Sequence, residues 1–153
     1  MTTIHLKGNT MFRTLVTSAV VMLSLGGAVV AETFEVKMLN KGEGGTMIFE
    51  PASLRIAVGD TVKFLPADKG HNAESVKGMI PEGAEAFAGK INEEIDVTLT
   101  EPGLYGVKCK PHWGMGMVMV VAVGEGDVDA DSFLSGKMPK KAKARFEKSL
   151  GGL

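Results

Sequence analysis

The chain has 153 residues, a length suited to one domain with its own core. Its 17 basic and 18 acidic side chains nearly cancel, leaving a net charge of −1, which argues against general nucleic-acid binding. A single cysteine rules out an internal disulfide, so this thiol pairs between chains, stays reactive or holds a metal.

The first segment reads as an export leader. Lys7 and Arg13 are its only charged side chains before Glu32, and an apolar run from Leu15 to Val30 ends in Ala28-Val-Val-Ala31. A basic start, an apolar stretch too short for the roughly 20 residues of a membrane span, and small residues before a polar one predict a signal peptide over 1–31, cut after Ala31. Met11 is an alternative start within it. The expected mature chain, 32–153, has 122 residues with 15 basic and 18 acidic side chains, a net charge of −3. His5 leaves with the leader, so His71, His112 and Cys109 are the imidazoles and thiol that remain. Export places that thiol in an oxidising compartment, where metal ligation would protect it.

The mature chain opens with strand alternation, Phe34, Val36 and Met38 against Glu35, Lys37 and Leu39. Asn40-Lys-Gly-Glu-Gly-Gly45 breaks it. Met47-Ile-Phe49 predicts a second short strand, stopped by Pro51. Ser53–Val58 alternates again, and Gly59-Asp60 predicts a hairpin turn into Thr61–Leu65. Residues 66–81 read as irregular, with a short helical turn over 83–89. Ile95–Thr100, Leu104–Cys109 and Met117–Val123 predict strands, the last an apolar, β-branched run of the buried kind. Residues 129–134 and 140–150 predict two helices. In the second, Ala142, Phe146 and Leu150 fall at i, i+4 and i+8 and form one packing stripe. Short strands at about 8–12-residue spacing indicate an all-β sandwich with a helical tail over about 129–150.

The chemistry concentrates in Tyr105-Gly-Val-Lys-Cys-Lys-Pro-His-Trp-Gly-Met-Gly-Met117. Cys109, His112 and Met117 offer a thiolate, an imidazole and a thioether within nine residues, and His71 is the other imidazole available. Thiolate and thioether favour copper, and two His, one Cys and a weak axial Met form a blue-copper set. Zinc would accept Cys and His, but methionine is a poor zinc ligand. A loop between two strands can aim three side chains at one point, and Gly114 and Gly116 permit its tight path. Asn72 is expected to bond the thiolate or to tie the two loops together. Pro111 carries no N–H and removes a donor near the sulfur, which should tune the potential.

These residues resemble the blue-copper cupredoxin family, and within it the pseudoazurin group. The resemblance is carried by Cys109-x2-His112-x4-Met117 together with Val36–Lys41, Phe49-Glu-Pro-Ala52, Asp68-Lys-Gly-His-Asn72, Met79–Ala84 and Tyr105-x-Val-Lys-Cys109, and it spans essentially the whole mature chain. It implies an eight-stranded Greek-key β-sandwich with two C-terminal α-helices. It also implies one copper cycling between Cu(I) and Cu(II) on His71, Cys109, His112 and Met117. The implied role is a monomeric periplasmic electron shuttle, not an enzyme, serving copper nitrite reductase, other denitrification enzymes or c-type cytochromes. In this reading His112 is the electron port. Pro111, Met115 and Met47 surround it as an apolar patch, and Lys41, Lys69, Lys108 and Lys110 form a basic docking face. Trp113, beside the ligand His112, has no assigned effect. Two other classes are kept open: a copper chaperone or storage protein, which would want exposed and exchangeable ligands, and an enzyme using Cys109 as nucleophile.

Overall fold

The structure, a computed structural model, describes residues 30–126 and 129–153. The expected leader over 1–31 lies outside the described residues except for Val30 and Ala31. Eight strands follow: β1 (Thr33–Gly42), β2 (Gly45–Glu50), β3 (Ser53–Ile56), β4 (Thr61–Leu65), β5 (Glu74–Ser75), β6 (Ile95–Thr98), β7 (Gly103–Lys108) and β8 (Val118–Val123). A one-turn helix α1 (Ala130–Phe133) and an 11-residue helix α2 (Lys140–Leu150) complete the chain.

The strands form two four-stranded sheets, ordered β2-β1-β4-β6 and β3-β8-β7-β5. The sandwich predicted from strand spacing is therefore present. β1 shows why alternation worked: Val36 and Met38 are fully buried, while Glu35 and Lys37 face water. β8 alternates nothing and is buried throughout. Its Met119, Val121 and Val123 join the core between the sheets, and its Val118 and Val120 face a second cluster with Ala142 and Phe146 of α2 and Phe133 of α1. A strand covered on both faces has no reason to carry polar residues.

Two local expectations are corrected. β3 and β4 do not form a hairpin. β3 runs parallel to β8 in one sheet and β4 parallel to β1 in the other, so Gly59-Asp60 is a crossing between sheets. The buried Asp60 carboxylate holds that crossing, accepting from Ala57 N (2.8 Å) and Glu32 N (2.8 Å). The Gly59-Asp60 backbone exchanges bonds with β6's extension: Gly59 N donates to Leu99 O at 2.8 Å and Leu99 N to Asp60 O at 3.0 Å. Gly-Asp suits any tight turn, and the partner strand is decided by which side chains must face which core.

The second correction is at 83–89, which forms no helix: Glu82-Gly83 is a turn, and the residues after it are irregular apart from one bridge at Ala88. Gly83 has φ +84°, which interrupts any helix there, and Ala88 bridges Glu74 while Phe87 N donates to Ser75 Oγ (3.0 Å). That pairing lays the segment along β5, beside the His71 loop. The predicted α2 matches its span, and Ala142 and Phe146 are fully buried as the stripe requires. Among the described residues, no helix is long and apolar enough to cross a membrane.

Candidate metal centre

Cys109 leaves the end of β7, and Met117 leads into β8. Antiparallel pairing of these strands brings both residues to one end of the sandwich, where Cys109 N donates to Met117 O at 3.0 Å. The intervening loop closes on itself: His112 N donates to Cys109 O (3.2 Å), Met115 N to His112 O (3.0 Å) and Met117 N to the same His112 O (3.2 Å). A single 3-10 turn, Trp113–Met115, carries the chain past His112. Gly116 follows at φ +83°, and a Cβ there would lie 2.8 Å from Lys141 O of α2, so only glycine lets the loop sit this close to the helix.

His71 arrives from the loop between β4 and β5. Asn92 grips that loop twice, accepting from Gly70 N on Oδ1 (2.7 Å) and donating its own N–H to His71 O (2.8 Å). Asn40 in β1 accepts from His71 Nε2 at 2.9 Å, which leaves Nδ1 as the free lone pair.

The three donor atoms then converge. His71 Nδ1 and His112 Nδ1 are 3.1 Å apart, and Cys109 Sγ lies 3.5 Å from His112 Nδ1 and 3.8 Å from His71 Nδ1. The point equidistant from all three is about 2.0 Å from each, close to metal–imidazole bonds of about 2.0–2.1 Å and slightly short of metal–thiolate bonds of about 2.3 Å. A single first-row metal ion fits this triangle; His71, Cys109 and His112 are the His/Cys/Asp/Glu group among the described residues that could hold one. Cys109, His71 and Met117 are fully buried, and Met117 belongs to the same core cluster as Cys109. His112 is partly exposed, so one ligand-type ring reaches the surface.

Residues 36–124 match the model of the copper-binding proteins of the plastocyanin/azurin family. The chain is 51% identical to the pseudoazurin of Paracoccus pantotrophus over 136 residues, which covers 89% of this chain and 94% of that protein. Its fold superposes on the pseudoazurin structure from Sinorhizobium meliloti with a TM-score of 0.74 at 50% identity, covering 78% of this chain and 94% of that one. The Methylobacterium extorquens AM1 pseudoazurin structure gives the same TM-score at 42% identity, covering 78% and 98%.

The chain belongs to the plastocyanin/azurin family of copper-binding proteins. As a cupredoxin it is a blue-copper electron-transfer protein that exchanges electrons with redox partner proteins, and it is not an enzyme. The triangle of soft and borderline donors fits a single type 1 copper.

The environment of this cupredoxin site is set by burial and by one asparagine. Burial pushes the Cys109 thiol pKa up, partly countered by the backbone N–H groups of Asn72 and His112, which favour the thiolate. Burial, and then the neighbouring His112, holds the His71 pKa below its usual value, so this imidazole stays neutral and able to bind a cation. Asn72 itself is 3% exposed and fully used. Its Oδ1 accepts from Lys110 N (2.7 Å), and its Nδ2 donates to Gly89 O (3.1 Å) and Glu74 Oε2 (3.1 Å). These bonds join the His71 loop to the segment after Cys109, the tie expected of Asn72, and none of them reaches the sulfur.

The expected surface residues divide. Pro111 and Met115 are exposed next to His112, with Met115 at 44%, and Lys41, Lys69 and Lys110 are exposed. Met47 is half-buried against the core cluster that contains Cys109. Lys108 differs: its Nζ pairs with Glu74 at 3.2 Å and lies 5.3 Å from the centre of the Trp113 ring. Its charge is offset within the protein, which weakens it as a docking cation. Trp113 turns inward, packing edge-on against Phe146 of α2 at 6.2 Å. Sequence reasoning missed Asn40, Asn92 and Glu74. Asn40 and Asn92 lie 31 and 21 residues from His71, and neither spacing carries a signal.

Proposed function

We propose that this cupredoxin is exported to the periplasm, loses residues 1–31, and works as a monomer that passes single electrons to copper nitrite reductase, with c-type cytochromes as further exchange partners. His71, Cys109, His112 and Met117 hold the copper, which supplies a one-electron couple when bound. The observation that carries this reading is the buried donor triangle opening to solvent only through His112. Buried ligands on short, cross-bonded loops favour a site that rearranges little between oxidation states, and they disfavour the ready metal exchange of a chaperone or store.

His112 and the exposed Pro111 and Met115 offer a small, partly apolar contact, suited to the weak encounters of redox carriers. Lys41, Lys69 and Lys110 add positive charge to a protein with three more acidic than basic residues in the expected mature chain, so an acidic partner face is favoured. The test is rapid mixing of the reduced, copper-loaded protein with copper nitrite reductase. Oxidation at a rate proportional to reductase concentration, slowed by salt, is expected. No oxidation by that reductase, alongside fast exchange with a c-type cytochrome, would refute the partner. A mature N-terminus other than Glu32 by mass spectrometry of exported protein would refute the cut.

A further inference from the structure

Arg145 lies in the middle of α2, and its guanidinium is occupied by carbonyls rather than by acids. Nη1 donates to Met47 O (2.6 Å) and to Gly116 O (3.1 Å), and Nη2 donates to Thr46 O (2.8 Å). No carboxylate pairs with it among the described residues. The acceptors come from two separate stretches, the start of β2 and the loop just before Met117. Both are conformationally demanding. Met47 is a non-glycine residue at φ +50°, and Gly116 is at φ +83° against the backbone of Lys141.

The Gly116 carbonyl and the Met117 N–H belong to one planar peptide unit. Arg145 holds its oxygen, and His112 O holds its N–H at 3.2 Å. A peptide plane pinned at both ends cannot rotate, so the direction in which the Met117 side chain leaves the backbone is set. The same fork holds Met47, whose side chain packs on the cluster containing Cys109 and Met117. Anchoring of the helix itself is a separate matter, carried by Ala142, by Phe146 and by the Trp113 edge against it.

We propose that Arg145 is a positioning residue of the copper site: its three-carbonyl clamp fixes the 116–117 peptide and the start of β2, and so sets how Met117 and His112 are presented. This rests on the ligand set proposed above. A planar fork of donors can serve divergent carbonyls at once; a lysine ammonium, a point charge on a flexible stem, cannot reproduce the same set.

The test uses the full chain with Arg145→Met, the milder Arg145→Lys, and Val62→Ala as a core-destabilising control away from the clamp. Hydrogen exchange of the Met117 amide is read in the metal-free protein, and the visible and electron paramagnetic spectra in the copper-loaded one. In Arg145→Met, Met117 exchange should rise at least about tenfold relative to Val121, and the Cu(II) spectra should change shape; Arg145→Lys should move both less, and Val62→Ala neither. The proposal is overturned if Met117 exchange rises only in step with Val121, or if the spectra keep the wild-type shape. If Arg145→Met does not fold, Arg145→Lys decides on the same two readouts. A wrong ligand set would appear separately, as a wild-type protein lacking the thiolate band, while the exchange arm still judges the clamp.

Discussion

Asn72→Ala should cost the metal-free protein about 3–5 kcal/mol. Three side-chain hydrogen bonds are lost, to Lys110 N, Gly89 O and Glu74 Oε2. Each of the two neutral bonds contributes about 1 kcal/mol net and the one to a carboxylate about 2, and leaving the buried Gly89 carbonyl without this partner adds roughly a further 1. The truncated amide also leaves a void at a site that is 3% exposed. With total stabilities of about 5–15 kcal/mol for such domains, this is a large fraction. The assay is urea unfolding without copper, because a bound ion would add its own mass-action stabilisation. At a typical slope of about 1–3 kcal/mol per molar urea, the midpoint should fall by about 1–5 M. A loss under about 1 kcal/mol would mean that water replaces these bonds freely and that Asn72 does not tie the loops together.

Other expectations follow from charge and protonation. Reversing Lys41 or Lys69 to Glu should slow reduction of an acidic partner at low salt, with the difference closing as the Debye length shrinks from about 30 Å at 0.01 M to about 8 Å at 0.15 M. Lys108→Glu should instead act mainly on stability, since Lys108 faces Glu74 and Trp113; stopped-flow rates and unfolding midpoints separate the two effects. In the metal-free protein, His71 has a folded pKa depressed below its unfolded value of about 6.5. Its contribution is therefore fully present above about pH 6.5 and is lost as pH falls toward the folded value, because the unfolded chain takes up the proton first. Urea midpoints measured stepwise below pH 7 should show this slope, and His71→Gln should remove it.

Much of the molecule was legible because its signals are local. The Cys109, His112 and Met117 spacing lies within one loop, and the β1 alternation and the α2 stripe are read within a few turns of chain. What escaped depends on partners distant in sequence. Gly59-Asp60 is the same dipeptide in a hairpin and in a crossing between sheets; only the burial of Asp60, between Ala57 N and Glu32 N, distinguishes them. The helical turn expected at 83–89 was overridden by pairing of Phe87 and Ala88 with β5. Lys108 reads as a free cation until Glu74, 34 residues away, is placed beside it. Asn40 on His71 and Arg145 on Met47 and Gly116 are contacts of the folded chain with no periodicity to announce them.

In the proposed site, Cys109 supplies a thiolate to a copper held with His71 and His112. The most direct measurement is the visible spectrum of the copper-loaded, oxidised protein beside its Cys109→Ser variant. An intense visible band that bleaches on one-electron reduction, and that is missing from the serine variant, is the predicted result. A colourless wild-type protein, or a band that survives in Cys109→Ser, would contradict it.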